Sequence, residues 1–481
     1  MTQVHAPLII GGEELRDGQE ATQTTYDPAT GKEFASYAVG GLNDIDAAVD
    51  AAREAFDNGP WRRLKPFERG RYLHKIGEEL FARRDEIARR LVLDSGKPLR
   101  DAYWEVDCSA RFFEFYAGVC DKLQGTSVPL GPGVMDWTIR EPIGVSAQIV
   151  PWNYPLQVAI RGVAPALAAG CTVVIKPSTE TPISLYDFAK IVKDIGLPDG
   201  VVNIVNGSGS VVGDRLARHP GVDQVTFTGS VPVGARVIQA TSHNAVPSNM
   251  ELGGKSPQLV FADADFDRIL PIVHQGMYLH AGQVCNAGTR LLVERNAHDE
   301  VVERLSAMNQ AMSLGHGMDD PDMGPVVSRA QQQSVEEYVT IAQSEGTVLE
   351  GAELPGDPAL ENGFFIRPTM VVDLPNDARI MREEIFGPLL GVVPFDTPDE
   401  AIAIANDSEF GLVAGVHTTN ISTAMLAAQE LQAGQVWINS FGVGLDVEFP
   451  FSGYKRSGFG REKGLEALDG YLQVKNVSVA F

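Results

Sequence analysis

The sequence predicts an α/β protein whose strands form parallel sheets. From Gly144 onward, short apolar runs alternate with segments of helical periodicity, and a second series of the same kind begins after Ser256. The apolar runs are continuous rather than alternating with polar residues, which is typical of strands buried on both faces of a parallel sheet. In such sheets, ligands bind beyond the carboxyl ends of the strands.

Before the first series, extended pieces with turns are expected over residues 7–38, and three helices should follow. The second helix should open at Pro66 and still include Leu91, and the third should cover residues 99–123. The third helix is rich in aromatic residues. Aromatic side chains at helical spacing are more often core residues than parts of a cofactor site, so we expect these rings to be buried.

The two alternating series and the end of the chain complete the prediction. The first series should contain strands at 145–150, 172–175, 201–205 and 224–228 and helices at 156–169 and 184–195. The second should contain strands at 258–261, 290–293 and 389–394 and helices at 269–281, 301–312 and 328–344. Alternating apolar residues predict a last strand over 471–481, which needs a partner strand.

Composition narrows the functional classes. The 481 residues carry a formal net charge of −24, and 44% of them are hydrophobic, which is enough for a large core. An acidic surface repels nucleic acid and anionic membranes, so we expect neither as a partner. The start of the chain lacks a signal-peptide pattern. The longest apolar stretch lies between Arg161 and Lys176, too short to span a bilayer, and a cytoplasmic location is expected.

Cysteine usage points to a reducing compartment. The four cysteines are Cys108, Cys120, Cys171 and Cys285, with no Cys-x-x-Cys pair among them. This pattern predicts neither a disulfide framework nor a zinc site, and we expect no metal. Cys108 and Cys120 share one predicted helix and are expected to be inert, buried thiols.

Cys285 is the candidate nucleophile. It lies in the run Gln283-Val284-Cys285-Asn286-Ala287-Gly288, without an acid or base beside it, so control of its charge must come from elsewhere. Glu251 lies 34 residues upstream, since 285 − 251 = 34, and is a candidate base. Asn153 offers an amide donor for an oxyanion. A nucleophile, a carboxylate base and an oxyanion donor together make an acyl-transfer site.

Three Gly- or Ser-containing runs follow predicted strands and are candidates for a dinucleotide site. Lys176 follows a buried strand, where its ammonium can bind ribose hydroxyls or a phosphate. The run from Gly207 to Gly213 is a weaker signal, because Gly-rich turns are common. In Phe227-Thr228-Gly229-Ser230, Gly229 allows close approach of the backbone, and Ser230 opens a helix whose free N–H groups attract an anion.

These runs resemble the aldehyde dehydrogenase superfamily in their order and spacing, and the resemblance covers nearly the whole chain. It implies a Rossmann-like NAD(P)-binding domain (1–122 and 143–253), an α/β catalytic domain (254–446) and a small β oligomerisation flap (123–142 and 466–481). In the family, the last strand pairs between subunits. The resemblance therefore implies a homodimer or a homotetramer.

The resemblance also implies the reaction. Cys285 attacks an aldehyde, the Asn153 amide binds the oxyanion, hydride leaves for NAD or NADP, and Glu251, ionised near neutral pH, activates the water that hydrolyses the thioester. Glu251 favours hydrolysis over transfer to coenzyme A. The residues implied for binding the cofactor are Trp152, Lys176, Ser178, Thr179, Gly209, Gly213, Phe227, Gly229, Ser230, Leu252, Glu384 and Phe386.

One position departs from the family pattern. Many NAD-preferring members carry a Glu three residues after the equivalent of Lys176, where it accepts from the ribose hydroxyls. Here that position is Thr179, and Glu180 lies one residue further on. Without that carboxylate, a 2′-phosphate meets less repulsion and Lys176 can pair with it. We therefore expect NADP to be accepted.

The substrate is less determined. The candidate pocket residues are Tyr154, Gln157, Arg161, Val284, Asn286, Phe451 and the loop 441–451 that also carries Phe441 and Phe449. Arg161 either binds the carboxylate of a semialdehyde, as in some relatives, or pairs with a surface acid. The phenylalanines equally suit an aromatic aldehyde. Glu462 either relays protons or is an exposed carboxylate at the start of a helix.

Two other classes compete with this interpretation. A cysteine hydrolase or thioesterase would use the same nucleophile without a cofactor, but no histidine forms an evident relay, and the stretches around Lys176, Ser230 and Glu384 would then have no purpose. A non-catalytic structural relative would be expected to lose Cys285 or Glu251, and both are present.

Overall fold

The structure is a computed structural model that describes residues 4–442 and 446–481. Its strands, numbered in chain order, are β1 Val4–Ala6, β2 Leu8–Ile10, β3 Glu13–Leu15, β4 Glu20–Tyr26, β5 Glu33–Val39, β6 Ser127–Val128, β7 Val134–Pro142, β8 Val145–Ile149, β9 Thr172–Lys176, β10 Val202–Ile204, β11 Gln224–Thr228, β12 Ser248–Glu251, β13 Pro257–Val260, β14 Arg290–Glu294, β15 Thr347–Glu350, β16 Thr369–Val372, β17 Leu389–Phe395, β18 Phe410–Gly411, β19 Val413–His417, β20 Gln435–Ile438, β21 Tyr454–Lys455, β22 Gly458–Phe459 and β23 Leu472–Ala480.

The helices, numbered in the same way, are α1 Leu42–Asp57, α2 Pro66–Ala82, α3 Arg84–Ser95, α4 Leu99–Ala117, α5 Pro155–Ala169, α6 Tyr186–Asp194, α7 Asp214–Arg218, α8 Val231–Ser242, α9 Phe266–Tyr278, α10 His298–Ala311, α11 Arg329–Glu345, α12 Arg379–Arg382, α13 Pro398–Asn406 and α14 Ile421–Glu430. In the described ranges, no helix combines the length and the apolar content that crossing a bilayer requires.

The first alternating series forms a sheet with the strand order β22-β12-β11-β8-β9-β10-β2-β3. Strands β12, β11, β8, β9 and β10 run parallel, and the strands toward both edges run antiparallel. Val173 and Ile175 of β9 pack into the core with α4 and α5, whereas Val174 packs on the opposite face with α1. The prediction of a parallel sheet covered on both faces is confirmed.

The second series forms another largely parallel sheet, with the order β15-β16-β17-β14-β13-β19-β20 and only β15 antiparallel among these strands. Leu292 of β14 packs on one face, and Leu291 and Val293 pack on the other. Helices cover both faces here as well, so the α/β prediction holds for both halves of the chain.

The helices before the first sheet differ from the prediction in number. The helix expected from Pro66 past Leu91 is two helices, α2 and α3, because Arg83 leaves helical geometry with φ −97° and ψ 14°. No glycine or proline marks this break. The third expected helix, α4, ends at Ala117 rather than near residue 123. Its rings at Phe112 and Phe113 are fully buried, as predicted.

Several strands were not predicted. The most important for the site is β12, whose sequence Ser-Asn-Met-Glu has little strand character of its own. It forms because it continues the sheet beside β11, with Thr228 paired to Glu251. The partner strand supplies the hydrogen bonds, so this short polar segment becomes a strand only when the chain is folded.

The last strand pairs within the chain. β23 runs antiparallel to β7 from the Leu472–Pro142 pair to the Ala480–Val134 pair, and β6 completes this small sheet. Met135, Val474 and Phe481 expose large apolar side chains there. The predicted flap therefore exists as a separate sheet. Its pairing between subunits, and the domain boundaries, remain predictions.

Candidate active site

A cavity of about 680 Å³ lies where the two main sheets face each other. Asn153 follows β8, and Glu251 ends β12, at the carboxyl edge of the first sheet. Cys285 precedes β14 and Glu384 precedes β17, at the amino edge of the second. The predicted site residues that line the cavity are Trp152, Asn153, Tyr154, Gln157, Arg161, Gly229, Ser230, Glu251, Leu252, Val284, Cys285, Asn286, Glu384, Phe386, Phe441, Phe449 and Phe451.

The nucleophile loop is anchored on both sides of Cys285. Gln283 is fully buried; its side-chain amide donates to the carbonyl of His280 at 3.1 Å and accepts from the N–H of Val327 at 2.9 Å. After the cysteine, Gly288 N–H donates to the carbonyl of Gly276 at 3.0 Å. Between these anchors, residues 284–286 are half-buried and face the cavity. The anchors thus present the thiol to the cavity.

A left-handed turn leads into this loop. His280, Ala281 and Gly282 have φ values of 49°, 54° and 71°. A Cβ on Gly282 would lie 2.4 Å from the carbonyl oxygen of Gly387, so only glycine fits there. Left-handed backbone at non-glycine residues is strained and persists where surrounding structure enforces it. Here the turn aims the Cys285 loop away from the end of α9.

Asn153 is positioned against the nucleophile loop. Its side-chain Nδ2 donates to the carbonyl of Gln283 at 2.9 Å, and its own carbonyl accepts from Nζ of Lys97 at 2.8 Å. The amide has two N–H donors, and this contact uses one of them. The second is available to a ligand in the cavity, as an oxyanion donor requires.

A buried ion pair supports Asn153 from behind. Lys97 and Glu105 form a salt bridge in which both side chains are completely buried. Glu105 Oε1 also accepts from the N–H groups of Leu156 and Gln157, at 2.9 and 3.1 Å, in the first turn of α5. The Lys97 ammonium lies 4.1 Å from the centre of the Tyr154 ring. Lys97 and Glu105 therefore fix the segment that carries Asn153.

Glu251 is 2% exposed, and neither of its carboxylate oxygens has a hydrogen-bond partner among the described residues. Burial, followed by the nearby carboxylate of Glu462, raises the pKa of Glu251 well above its usual value, whereas Arg161 lowers it. This environment favours the protonated acid, contrary to the expectation that Glu251 is ionised near neutral pH.

Cys285 also lies in an environment that favours the protonated form. Burial raises the pKa of its thiol to about 11; Arg161 lowers this pKa, and the carboxylates of Glu251 and Glu384 raise it. A thiol with such a pKa is a weak nucleophile until positive charge approaches. Activity in this site should therefore increase with pH.

Arg161 forms a buried salt bridge with Glu462, in which the side chains are 5% and 2% exposed. Its guanidinium also donates to Oγ1 of Thr228 at 3.3 Å and lies 5.2 Å from the centre of the Phe451 ring. Of the two roles considered, the structure thus shows an ion pair, although the acid is buried rather than on the surface. The expectation that Glu462 is an exposed carboxylate is wrong, because its backbone pairs with Phe451 and places it inside.

The cofactor side of the cavity has the features that a dinucleotide needs. Ser230 precedes the first turn of α8, whose free N–H groups suit a pyrophosphate. A Cβ on Gly229 would lie 2.6 Å from the Phe227 ring, so glycine keeps this approach open. Glu384 accepts from the N–H of Gly254 at 3.0 Å, and burial raises its pKa to about 7. These residues are therefore suited to binding a dinucleotide cofactor.

Other predicted cofactor residues lie along the same edge of the sheet but outside the lining of the cavity: Lys176, Ser178, Thr179, Gly209, Gly213 and Phe227. Lys176 ends β9, and burial lowers its pKa to about 8. The hydroxyls of Ser178 and Thr179 both donate to Glu180, at 2.5 and 3.1 Å. Glu180 thus bonds to its own neighbours in sequence, and Lys176 donates to the carbonyl of Pro177 at 2.7 Å.

Some cavity residues were missed by sequence reasoning. Trp104, on α4, was not among the predicted pocket residues, and Trp437 lies on the unpredicted strand β20. Lys463 follows Glu462 and lines the cavity. The supporting residues Lys97 and Glu105 gave no signal because their partners are distant in sequence. Of the expected pocket loop 441–451, residues 443–445 lie outside the described residues.

A thiol, a buried carboxylate and an amide donor beside a dinucleotide-sized cleft define an enzyme class that joins covalent catalysis to a bound cofactor. A profile of the aldehyde dehydrogenase family matches residues 15–477. The chain is 42% identical to aldehyde dehydrogenase 1 of Tanacetum cinerariifolium over 98% of its own length and 94% of that protein. It is 41% identical to betaine aldehyde dehydrogenase of Bacillus subtilis, over 98% and 96%.

A solved structure agrees with these matches. Betaine aldehyde dehydrogenase from Staphylococcus aureus in complex with NAD+ superimposes with a TM-score of 0.96 at 36% identity, over 99% of this chain and 95% of that one. The chain belongs to the aldehyde dehydrogenase family. It is an enzyme that oxidises aldehydes with NAD or NADP.

The buried ion pair behind Asn153 can be tested by substitution. Lys97→Met leaves Glu105 as an uncompensated buried charge, which typically costs about 3–5 kcal/mol. We expect a clear fall in the thermal unfolding midpoint and in kcat. Glu105→Leu added to Lys97→Met removes that charge and should recover part of the midpoint, but not kcat, because the Asn153 carbonyl still lacks its donor. Wild-type kcat in the double variant would contradict this role.

The pH dependence of the site depends on Glu462. Glu462→Gln removes a carboxylate that raises the pKa of Glu251 and frees Arg161, which lowers the pKa of both Glu251 and Cys285. Both groups must lose a proton to react, so the acidic limb of kcat/KM should move to lower pH, by roughly one unit. Glu466→Gln, an exposed acid nearby, is the control. A shift to higher pH would exclude this electrostatic arrangement.

Proposed function

We propose that the enzyme oxidises its aldehyde to the free carboxylic acid through a covalent intermediate on Cys285. The observation that carries this proposal is that three candidate catalytic residues meet in one cavity. Asn153, Glu251 and Cys285 come from three separate stretches of the chain and line one cavity, beside the helix N-terminus that suits a dinucleotide. Such an arrangement of nucleophile, oxyanion donor and base is what acyl transfer requires.

In the first step, the Cys285 thiolate adds to the carbonyl carbon and forms a thiohemiacetal oxyanion. The free N–H of the Asn153 side chain and the backbone N–H of Cys285 are placed to donate to that oxygen. A donor of this kind typically contributes about 2.7–4 kcal/mol to lowering the barrier. The Lys97–Glu105 pair keeps the Asn153 amide in place, so less reorganisation is needed as charge develops.

When bound, NAD(P)+ supplies the acceptor for the hydride that leaves the thiohemiacetal, and its positive nicotinamide ring favours the Cys285 thiolate. Gly229, Ser230 and the first turn of α8 would hold the pyrophosphate. Glu384 would hold the nicotinamide ribose, beside Phe386. Trp152 packs edge-on against Phe386, with ring centres 5.2 Å apart, and so fixes one wall of this part of the cleft.

In the second step, Glu251 accepts a proton from the water that attacks the thioester. Its raised pKa suits this role, because the carboxylate is a stronger base once it has lost its proton. Neither of its oxygens has a hydrogen-bond partner among the described residues, so neither is committed to another side chain. A base in this position favours hydrolysis over transfer to coenzyme A.

Removing the base should separate the two steps. We expect Glu251→Gln to produce a burst of reduced nicotinamide, at most one per subunit, followed by turnover roughly 10²–10⁴-fold slower. The acyl group should be found on Cys285 by mass spectrometry. Cys285→Ala is the control and should show neither a burst nor an adduct. Wild-type turnover in Glu251→Gln would refute the proposed role of Glu251.

A cofactor-independent cysteine thioesterase is the alternative class, and none of the contacts described favours it. His280 is the histidine nearest to Cys285 in sequence. Its ring packs edge-on against Tyr154, with centres 5.5 Å apart, and burial lowers its pKa well below the usual value. It is therefore poorly suited to act as the base for the thiol. Thioester hydrolysis without any nicotinamide requirement would favour this alternative.

We propose that NADP is accepted as well as NAD. Thr179 places a neutral hydroxyl where many relatives place a carboxylate, and Lys176 lies three residues before it at the end of β9. Glu180 is held by the hydroxyls of Ser178 and Thr179 rather than projecting freely. A 2′-phosphate would thus find a cation close by. A catalytic efficiency with NAD far above that with NADP would refute the proposal.

Restoring the carboxylate tests the role of Thr179. Thr179→Glu should lower kcat/KM for NADP relative to NAD by roughly tenfold or more, because the added charge repels the 2′-phosphate and can accept from the ribose hydroxyls. Thr179→Gln has the same length without the charge and should leave the NADP/NAD ratio close to that of the wild type. An unchanged ratio in Thr179→Glu would exclude Thr179 from the ribose site.

We also propose that the chain assembles as a homodimer or homotetramer through the flap formed by β6, β7 and β23. The exposed apolar side chains of this sheet include Met135, Val474, Val479 and Phe481, with Phe481 80% exposed. Apolar residues on an exposed strand are typical of a surface that another chain covers.

We propose that the aldehyde that enters the cavity is aromatic. The outer lining is rich in aromatic side chains: Trp104, Tyr154, Trp437, Phe441, Phe449 and Phe451. One relative with 40% identity, over 98% of this chain and 88% of its own, is the mitochondrial benzaldehyde dehydrogenase of Antirrhinum majus. Aromatic walls bind a flat ring through area and edge-to-face contacts.

A further inference from the structure

Three cationic side chains line the cavity, Arg100, Arg161 and Lys463, and they are not equivalent. Arg100 is exposed and forms a salt bridge with Asp320. The guanidinium of Arg161 is committed to Glu462 by a buried salt bridge. A substrate carboxylate would have to compete with that carboxylate for the same cation. An already neutralised buried cation gains little from a second anion, so Arg161 is a poor receptor for one.

Lys463 differs in its surroundings. Its ammonium lies 4.9 Å from the centre of the Phe449 ring and 5.5 Å from that of Phe451. Lys463 forms no salt bridge with any described residue: the neighbouring Glu462 raises the pKa of Lys463 but pairs with Arg161. The backbone of Lys463 is left-handed, with φ 58°. A strained conformation that directs a cation into a cavity is a common feature of binding sites.

The remaining charges of the lining do not neutralise this ammonium. Glu251 and Glu384 belong to the base and cofactor positions. Asp101 lies on α4, and burial raises its pKa to about 6, so this carboxyl is mostly ionised at neutral pH; Lys463 is not among the charges that shift its pKa. Burial is also the largest cause that lowers the pKa of Lys463, an effect that a bound anion would reverse.

We propose that Lys463, with the rings of Phe449 and Phe451, forms a subsite for an anionic group at the far end of the substrate, so that carboxylated aromatic aldehydes are preferred and cationic aldehydes are disfavoured. This inference rests on the proposed function and extends it to a substrate class. The rings bind the apolar body of the substrate, and the ammonium pairs with the carboxylate. The same charge repels a quaternary ammonium group, so betaine aldehyde, for which two relatives are named, should be a poor substrate.

The test uses three aldehydes that share one ring. These are 4-formylbenzoate, benzaldehyde and 4-formyl-N,N,N-trimethylanilinium, assayed as kcat/KM with saturating NAD or NADP. Comparing each variant with the wild type cancels the intrinsic reactivity of the aldehydes. In Lys463→Met, the 4-formylbenzoate/benzaldehyde ratio should fall about tenfold or more, and the trimethylanilinium/benzaldehyde ratio should increase.

Two further variants control for side effects. Lys463→Arg keeps the charge and should retain the wild-type order of the three aldehydes. Lys455→Met makes the same change at an exposed lysine that is also left-handed, with φ 54°, but lies outside the cavity lining. Its two substrate ratios should match those of the wild type. Thermal unfolding of each variant shows whether it is folded.

The outcomes separate the subsite from the underlying reaction. If Lys463→Met changes kcat/KM for all three aldehydes by the same factor, or if the wild type prefers the cationic aldehyde, the subsite is overturned while the oxidation of aldehydes stands. The subsite is also overturned if the wild type oxidises short aliphatic aldehydes but none of the three aromatic ones. If no aldehyde is oxidised with either cofactor, the proposed function itself fails.

Discussion

The buried ion pair between Lys97 and Glu105 is the interaction on which the geometry of the site depends. Both side chains are completely buried, so each charge needs every partner it can reach. Lys97 uses a second of its three donors on the carbonyl of Asn153, and Glu105 accepts from two N–H groups that open α5. The loop after β8, the start of α5 and helix α4 are thereby fixed to one another. The position of the Asn153 amide, the candidate oxyanion donor, is therefore set by this network rather than by its own loop.

The chemistry depends on a second set of buried charges that is not balanced in the same way. Glu251, Glu462 and Cys285 surround the guanidinium of Arg161, and burial raises the pKa of each of the three acids. The resting site therefore retains protons that catalysis must remove. A change of charge at any one of these groups changes the pKa of the others, because they are buried together and little water screens them from one another. The protonation of the site is thus a property of the cluster rather than of single residues.

Much of the fold could be predicted from the sequence, because continuous apolar runs that alternate with segments of helical periodicity are compatible with few folds other than a parallel α/β sheet. The strands β8, β9, β11 and β14 occur within a residue or so of their predicted positions. The failures have a common cause. The break at Arg83 and the strand β12 carry no glycine, proline or apolar pattern that would mark them, and β12 forms because it pairs with β11.

The sequence by itself determined the α/β class. It also predicted the candidate nucleophile Cys285, the candidate base Glu251, the amide Asn153 and the helix that begins after Ser230, since each follows from a local run of residues with its own chemistry. Only the tertiary structure decided which charges meet. It paired Arg161 with Glu462 and left Lys463 beside two aromatic rings. An ion pair depends on the distance between the two charges in space and on their burial. Neither quantity can be predicted from the spacing of residues along the chain.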